Sequence, residues 1–106
     1  DIDPQAITHA RENALVNNFP SITFSLPDAC RVETWQKPIV VMNMIASEQA
    51  EAWNTLHGLH GIRLILATSG ILKEGRQAYL AQTELWGWQL LKEEEMDGWL
   101  GFVFQT

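Results

Sequence analysis

The sequence predicts an α/β fold with a mostly parallel sheet, and three observations support this class. Short apolar segments alternate with helical patterns along the 106 residues, as they do when helices connect parallel strands. Residues 39–42 form a continuous apolar run, typical of a strand buried on both faces of such a sheet. Asp97-Gly98 is a tight-turn pair between two later apolar segments, which predicts a terminal antiparallel hairpin with one reversed strand.

Length and charge limit the classes of protein to consider. The 106 residues suffice for one small domain. Seven basic and thirteen acidic residues give a net charge of -6, which repels phosphate backbones and argues against direct binding of nucleic acid. Such a surface suits a basic protein or a cationic side chain as partner, although a role in solubility explains it equally well.

Cysteine content and hydropathy indicate the compartment. Cys30 is the single cysteine, so we expect neither a disulfide framework nor a thiolate metal cluster, and we predict no metal site. No stretch approaches the roughly 20 apolar residues of a membrane span, and no signal segment opens the sequence. These features predict a cytoplasmic protein without a membrane partner.

The first half of the chain has clear helix signals. Asp3 can cap a helix that begins at Pro4 and continues at helical spacing to about residue 16. Alternating apolar residues then predict a strand over residues 22–26, followed by a loop over residues 29–36.

The second half predicts the remaining elements. Ser47 is the expected N-cap of the next helix, and the Glu48 carboxylate is placed to interact favourably with the helix dipole. Gly58 is expected to end this helix. The pattern gives helices over residues 48–57 and 73–83 and strands over residues 39–42, 62–67, 85–91 and 99–104. Trp86 and Trp88 are then expected to alternate on one strand face, facing Trp99 on the partner strand as core residues. Residues 93–95 are interpreted as a solvated turn, with docking to a basic substrate as the minor alternative.

Asn43 is the leading candidate for chemistry. It directly follows the apolar run, at the carboxyl end of a strand, where open α/β sheets bind their ligands. A turn residue with satisfied hydrogen bonds is the competing interpretation.

Four segments resemble those of class I S-adenosylmethionine-dependent methyltransferases. Residues 1–14 are similar to the second conserved segment of that class. Residues 40–46 resemble the Asn-Ile-Leu-Ala segment of the methyltransferases that act on ribosomal protein eleven of the large subunit. Ser69-Gly70-Ile71-Leu72 matches the Ser-Gly-Ile-Leu of that family, and Gly98-Trp99 lies where the family has an acidic residue and tryptophan.

The resemblance implies an S-adenosylmethionine-dependent N-methyltransferase that modifies lysine side chains or the N-terminus of a basic ribosomal protein. It also implies a Rossmann-like sheet. Residues 1–106 would then be a partial catalytic domain, lacking the first strand, most of the second and the glycine-rich cofactor loop.

By the same resemblance, residues near the start contact the cofactor. Asp1 would accept hydrogen bonds from the ribose hydroxyls, and Ile2 would pack on adenine. Asp28 would receive the adenine amino group while Ala29 offers its backbone amide to the ring. A frayed terminus is the alternative for Asp1, and a plain turn aspartate is an equal alternative for Asp28.

The reacting amine would meet Asn43, whose carbonyl oxygen can accept a hydrogen bond from the amine and aim its lone pair. Met44 and Ser69 would line the substrate side. Methyl transfer depends on position and desolvation more than on a strong base, and no residue stands out as a general base.

Two other functions stay open. A degenerate, non-catalytic relative would work as an interaction module, and its full-length form would not bind the cofactor. The same scaffold could also methylate another amine, because substrate choice would belong to a separate recognition domain.

We expect an isolated 1–106 monomer to lack a stable fold. In the implied topology the first strand lies in the centre of the sheet, between the second and the fourth. Without it, the strand at residues 22–26 has no neighbour that joins it to the strand at residues 39–42, and unpaired buried backbone groups are costly. Calorimetry of the isolated monomer should show no cooperative unfolding transition; such a transition would contradict this expectation.

Overall fold

The chain divides into two compact units, Asp1–Val32 and Glu33–Thr106. The computed structural model describes residues 1–106, with only the backbone described for Glu33. Among the residues described, no helix has the length and apolar character needed to cross a membrane.

The first unit begins with helix α1, Pro4–Val16, as the sequence predicts. Asp3 is its N-cap, and the Asp3 carboxylate accepts a hydrogen bond from the Gln5 amide at 2.8 Å. Pro4 occupies the first helical position, where its missing N–H has no intrahelical partner to lose. These local signals explain why the start of α1 was predictable.

The strand predicted over residues 22–26 is wrong, because this stretch forms no strand in the described chain. The Arg11 guanidinium donates to the Phe24 carbonyl at 3.1 Å. A strand is defined by its ladder of hydrogen bonds to a neighbour, and an alternating pattern alone does not supply the neighbour.

The second unit is a four-stranded sheet with two helices, in the order β1-β2-β4-β3. β1 pairs with β2 in parallel, whereas β4 is antiparallel to both β2 and β3. Three strands therefore run in one direction and β4 is reversed, which confirms the α/β class and the terminal hairpin. The elements are β1 (Ile39–Asn43), α2 (Ala46–Thr55), β2 (Ile65–Leu72), α3 (Arg76–Leu85), β3 (Gln89–Met96) and β4 (Trp99–Gln105).

Several predicted boundaries are wrong around α2 and β2. The N-cap of α2 is Ile45, without a side-chain hydrogen bond, and Ser47 lies inside the helix. Glu48 does occupy the first turn, as expected. β2 continues beyond residue 67, its predicted end, to Leu72. A bulge at Gly70 interrupts its pairing with β4, and the pairing resumes at Ile71.

The predictions for the terminal hairpin need a similar correction. α3 extends to Leu85, so Trp86 and Trp88 precede β3 and are not strand residues. Residues 93–95 lie within β3 and do not form a turn. A second register shift separates Leu90 from Lys92 on this strand.

Basic residues near the start of α3 form ion pairs with acidic residues of β3. Arg76 donates two hydrogen bonds of 2.7 Å to the Glu93 carboxylate, and Lys73 contacts Glu95 at 3.0 Å. Hydrogen bonding to Arg76 lowers the pKa of Glu93, and the same contact raises the pKa of Arg76. Glu93 and Glu95 thus have partners outside β3, and Glu94 pairs with Lys92 of the same strand at 3.0 Å.

One face of the sheet carries the core of this unit. Tyr79 of α3 packs its ring against Phe102 and Phe104 of β4, with centroid distances of 5.2 and 6.2 Å. Trp53 of α2 is 2% exposed and meets Trp88 edge-on. Both helices therefore cover the same face.

Alternate residues of β1 are exposed. Ile39 and Val41 are 73% and 72% exposed, whereas Met42, which follows Val41, is 4% exposed. The prediction that this strand is buried on both faces is therefore wrong for the described chain. The reason is that α2 and α3 lie on the Met42 face and that β1 ends the sheet.

Gly70 of β2 lies against the Met44 peptide, which follows β1. A Cβ atom on Gly70 would lie 2.5 Å from the Met44 carbonyl oxygen, and the Gly70 φ of +91° also disfavours other residues. The Ser-Gly pair therefore has a steric basis: glycine lets the Met44 peptide lie directly against β2.

We expect Gly70→Ala to destabilise the protein by more than the roughly 1–3 kcal/mol typical of an unfavourable backbone conformation, because the new Cβ also collides with main chain. Gly87→Ala separates the two effects, since Gly87 has a φ of +80° and open space around it. Gly61→Ala, with open space and no positive φ, is the neutral control. Chemical denaturation of the full-length protein measures all three, and equal losses for Gly70→Ala and Gly87→Ala would contradict the steric argument.

Candidate functional site

Asn43 and Ser69 lie side by side where β1 ends. The parallel register of β1 and β2 aligns their Cα atoms, and the Ser69 hydroxyl donates to Asn43 Oδ1 at 2.7 Å. An amide oxygen has two lone pairs, so this bond orients Asn43 and leaves one acceptor position on Oδ1. The structure thus brings together two of the residues that the sequence singled out.

A cleft of about 970 Å³ opens at this pair. Met44, predicted to lie on the substrate side, also lines it. The hairpin supplies another wall, including Trp99, which is 48% exposed. The cleft lining contains three carboxylates, Glu48, Glu94 and Glu95, and the Lys92 ammonium group. Lys92 pairs with Glu94 and Lys73 pairs with Glu95, each at 3.0 Å, so the excess negative charge of the cleft is that of Glu48.

The backbone of Met44 is held from two sides. Its N–H donates to the Ser69 carbonyl at 3.3 Å, and its carbonyl accepts the Gln49 side-chain amide at 2.7 Å. This carbonyl also lies against Gly70. Met44 therefore contributes a fixed backbone to the cleft, and its carbonyl already has a hydrogen-bond donor within the protein.

A buried polar network supports the site from the helical side of the sheet. Gln49 is 0% exposed, and its Nε2 also donates to the Ser69 carbonyl at 3.0 Å. The Tyr79 hydroxyl bonds Gln49 Oε1 at 2.7 Å and Thr68 Oγ1 at 2.9 Å. Sequence reasoning missed this network; the available signal was that Gln49 and Trp53 share one face of α2 at helical spacing.

The residues predicted to contact the cofactor belong to the first unit. Asp1 and Ile2 are exposed, and Asp1 Oδ1 accepts the Asp3 amide at 2.9 Å. Asp28 is exposed in the short 3₁₀ turn Pro27–Ala29. The Ala29 amide donates to the Leu26 carbonyl at 3.1 Å, so in this conformation it serves the turn. The cofactor roles of these residues stay predictions.

The aromatic residues away from the cleft form a packed cluster. The Trp53 ring stacks on His60 with centroids 4.4 Å apart, and Trp88 meets Trp53 at 5.0 Å and 88°. Trp88 also contacts Phe104 at 5.3 Å. The expected core role is confirmed for Trp88, which is buried, and is wrong for Trp99, which is 48% exposed; Trp53 is buried as well.

Comparison with solved structures identifies the fold. A crystal structure of ribosomal protein L11 methylase from Lactobacillus delbrueckii subsp. bulgaricus superposes with a TM-score of 0.72 and 19% sequence identity, over 98% of this chain and 54% of that one. This chain therefore shares the Rossmann-like fold of that structure.

Sequence comparison identifies the family. The family model described as ribosomal protein L11 methyltransferase (PrmA) matches residues 1–106, and the chain belongs to that family. Proteins of this description from Staphylococcus aureus strains JH1 and Mu3 are each 33% identical over 110 residues, which cover 99% of this chain. The chain spans about a third, 34%, of the length of these relatives.

Tyr79 predicts a specific pH dependence of stability. Burial raises the pKa of Tyr79 to about 12, although its hydrogen bond with Thr68 acts in the opposite direction. An unfolded tyrosine has a pKa of about 10, so the folded state holds this proton more tightly. The stability from the neutral phenol is complete below about pH 10 and is lost as the pH rises toward 12.

Denaturation of the full-length protein between pH 8 and 11 measures this loss, with Tyr79→Phe as the control that should have a flatter profile. Difference absorbance of the phenolate against the same variant reports the titration directly. A Tyr79 phenolate that forms near pH 10 in the folded protein would contradict the prediction.

Proposed function

We propose that the full-length protein transfers methyl groups from S-adenosylmethionine to amino groups of ribosomal protein L11. The observation that carries the proposal is the hydrogen-bonded pair of Asn43 and Ser69 at the opening of an acidic cleft. Family membership supports methyl transfer as the reaction, and the names of the relatives support L11 as the substrate.

The cleft suits a cationic amine. Its Glu94 and Glu95 carboxylates are paired with Lys92 and Lys73, so Glu48 supplies the excess negative charge that attracts a protonated amine on a basic protein. Lysine has an unperturbed pKa of about 10.4, and the amine must lose its proton before its nitrogen lone pair can react. The positive charge favours docking, and the proton then passes to bulk water before the methyl group is transferred.

Asn43 then orients the neutral amine. The acceptor position that Ser69 leaves on Asn43 Oδ1 can take an amine N–H and direct the nitrogen lone pair toward the methyl group. Such positioning lowers the barrier by converting binding into correct geometry. Met44 and Ser69 complete the substrate side of this proposed site.

The carboxylates of the first unit can accept hydrogen bonds from the cofactor. The exposed Asp1 carboxylate can accept the ribose hydroxyls, and Asp28 can accept the adenine amino group, with Ile2 and Ala29 beside the ring. When bound, S-adenosylmethionine would supply an electrophilic methyl group on a sulfonium. Residues 1–106 would act as part of a catalytic domain, in the cytoplasm.

The decisive experiment compares wild type with Asn43→Ala in the full-length protein, with labelled S-adenosylmethionine and purified L11. We expect Asn43→Ala to lower the methylation rate by about 100-fold, because the amine loses its orienting acceptor. Ser69→Ala should have a smaller effect, since Asn43 remains but loses one hydrogen bond.

Asn54→Ala is the matched control, because Asn54 is exposed on α2 and should leave the rate unchanged. Equal labelling by wild type and Asn43→Ala would remove Asn43 from the mechanism. No labelling by wild type, with folded protein and calorimetric cofactor binding both demonstrated, would refute L11 methylation itself.

A further inference from the structure

The Gln49 side chain is a fully buried amide whose donors are both used. It is 0% exposed, and Nε2 donates to the carbonyl oxygens of Met44 at 2.7 Å and Ser69 at 3.0 Å. A primary amide has two N–H donors, so none is left unpaired. Burying such a group is costly unless its hydrogen bonds are made.

The two carbonyl acceptors fix the direction of this amide, because turning it over would bring Oε1 against both carbonyl oxygens. Tyr79 satisfies the remaining oxygen. Gln49 Oε1 can only accept, so the Tyr79 hydroxyl donates to it at 2.7 Å and accepts from the Thr68 hydroxyl at 2.9 Å.

The two carbonyls belong to the backbone of the proposed site. Met44 directly follows Asn43, and Ser69 carries the hydroxyl that bonds Asn43 Oδ1 at 2.7 Å. We propose that Gln49 is a positioning residue for methyl transfer: it ties the end of β1 to β2 and thereby holds Asn43 against Ser69. This inference rests on the proposed function.

The geometry explains why an amide serves here better than an apolar side chain. An apolar residue could fill the space between α2 and the sheet, but it would leave the Met44 carbonyl without its donor. The Met44 peptide could then rotate, and Asn43 would move with it. A misplacement of about 1 Å at a reacting group can cost 100-fold in rate.

The test compares full-length wild type with Gln49→Met, Tyr79→Phe and the double variant, at a temperature where circular dichroism shows all four folded. Gln49→Met keeps the length of the side chain but removes both donors. We expect it to lower kcat for methylation about 10- to 100-fold and to change KM for L11 by less than about twofold.

Tyr79→Phe is the matched control, because it removes a buried hydrogen bond of the same network and leaves both Gln49 donors in place. It should keep kcat within about threefold of wild type. In Gln49→Met the Tyr79 hydroxyl loses its Gln49 acceptor but keeps Thr68 as a partner at 2.9 Å. The double variant should therefore keep the low kcat of Gln49→Met.

A second measurement does not depend on activity. The side-chain amide signal of Asn43 in nitrogen-15 NMR spectra should shift and broaden in Gln49→Met and stay near its wild-type position in Tyr79→Phe. Unchanged kcat and an unchanged Asn43 signal in Gln49→Met would overturn the proposal, as would equal kcat losses in both single variants. If wild type shows no methylation, the proposed function fails, and the Asn43 signal still decides whether Gln49 positions this pair.

Discussion

The parallel pairing of β1 with β2 is the constraint on which the rest of the second unit depends. Its register aligns Asn43 with Ser69, and it brings the Met44 peptide into contact with Gly70. A shift of one residue would reverse the faces of β1, exposing Met42 and turning Asn43 toward the helices. Pairing therefore decides both which residues are buried and which polar groups reach the cleft.

On the helical face of the sheet, a hydrogen-bond network lies within an otherwise apolar core. Phe102, Phe104 and Leu66 supply the close packing there, while Gln49 and Tyr79 insert a satisfied hydrogen-bond network next to the cleft. Apolar packing holds the helices to the sheet without fixing a peptide plane. The directed bonds of the amide provide that orientation, which the proposed methyl transfer requires.

Local signals were enough to predict some parts of the structure. The Asp3 cap and Pro4 defined α1, and the abrupt polar residue after an apolar run located Asn43. The strand at residues 22–26 failed because pairing requires a distant partner. The acidic run in β3 was misinterpreted because Arg76, which neutralises Glu93, is remote in sequence. Gln49 gave no chemical signal, since its importance comes from which carbonyls the fold sets beside it.

The outer strand β3 has a consequence for how the protein behaves among other molecules. It lies at one end of the described sheet, where unpaired backbone groups could recruit a strand from another chain. Its charged side chains and the irregular register between Leu90 and Lys92 oppose such recruitment. The acidic run that binds Lys73 and Arg76 within the molecule therefore also protects this edge against aggregation.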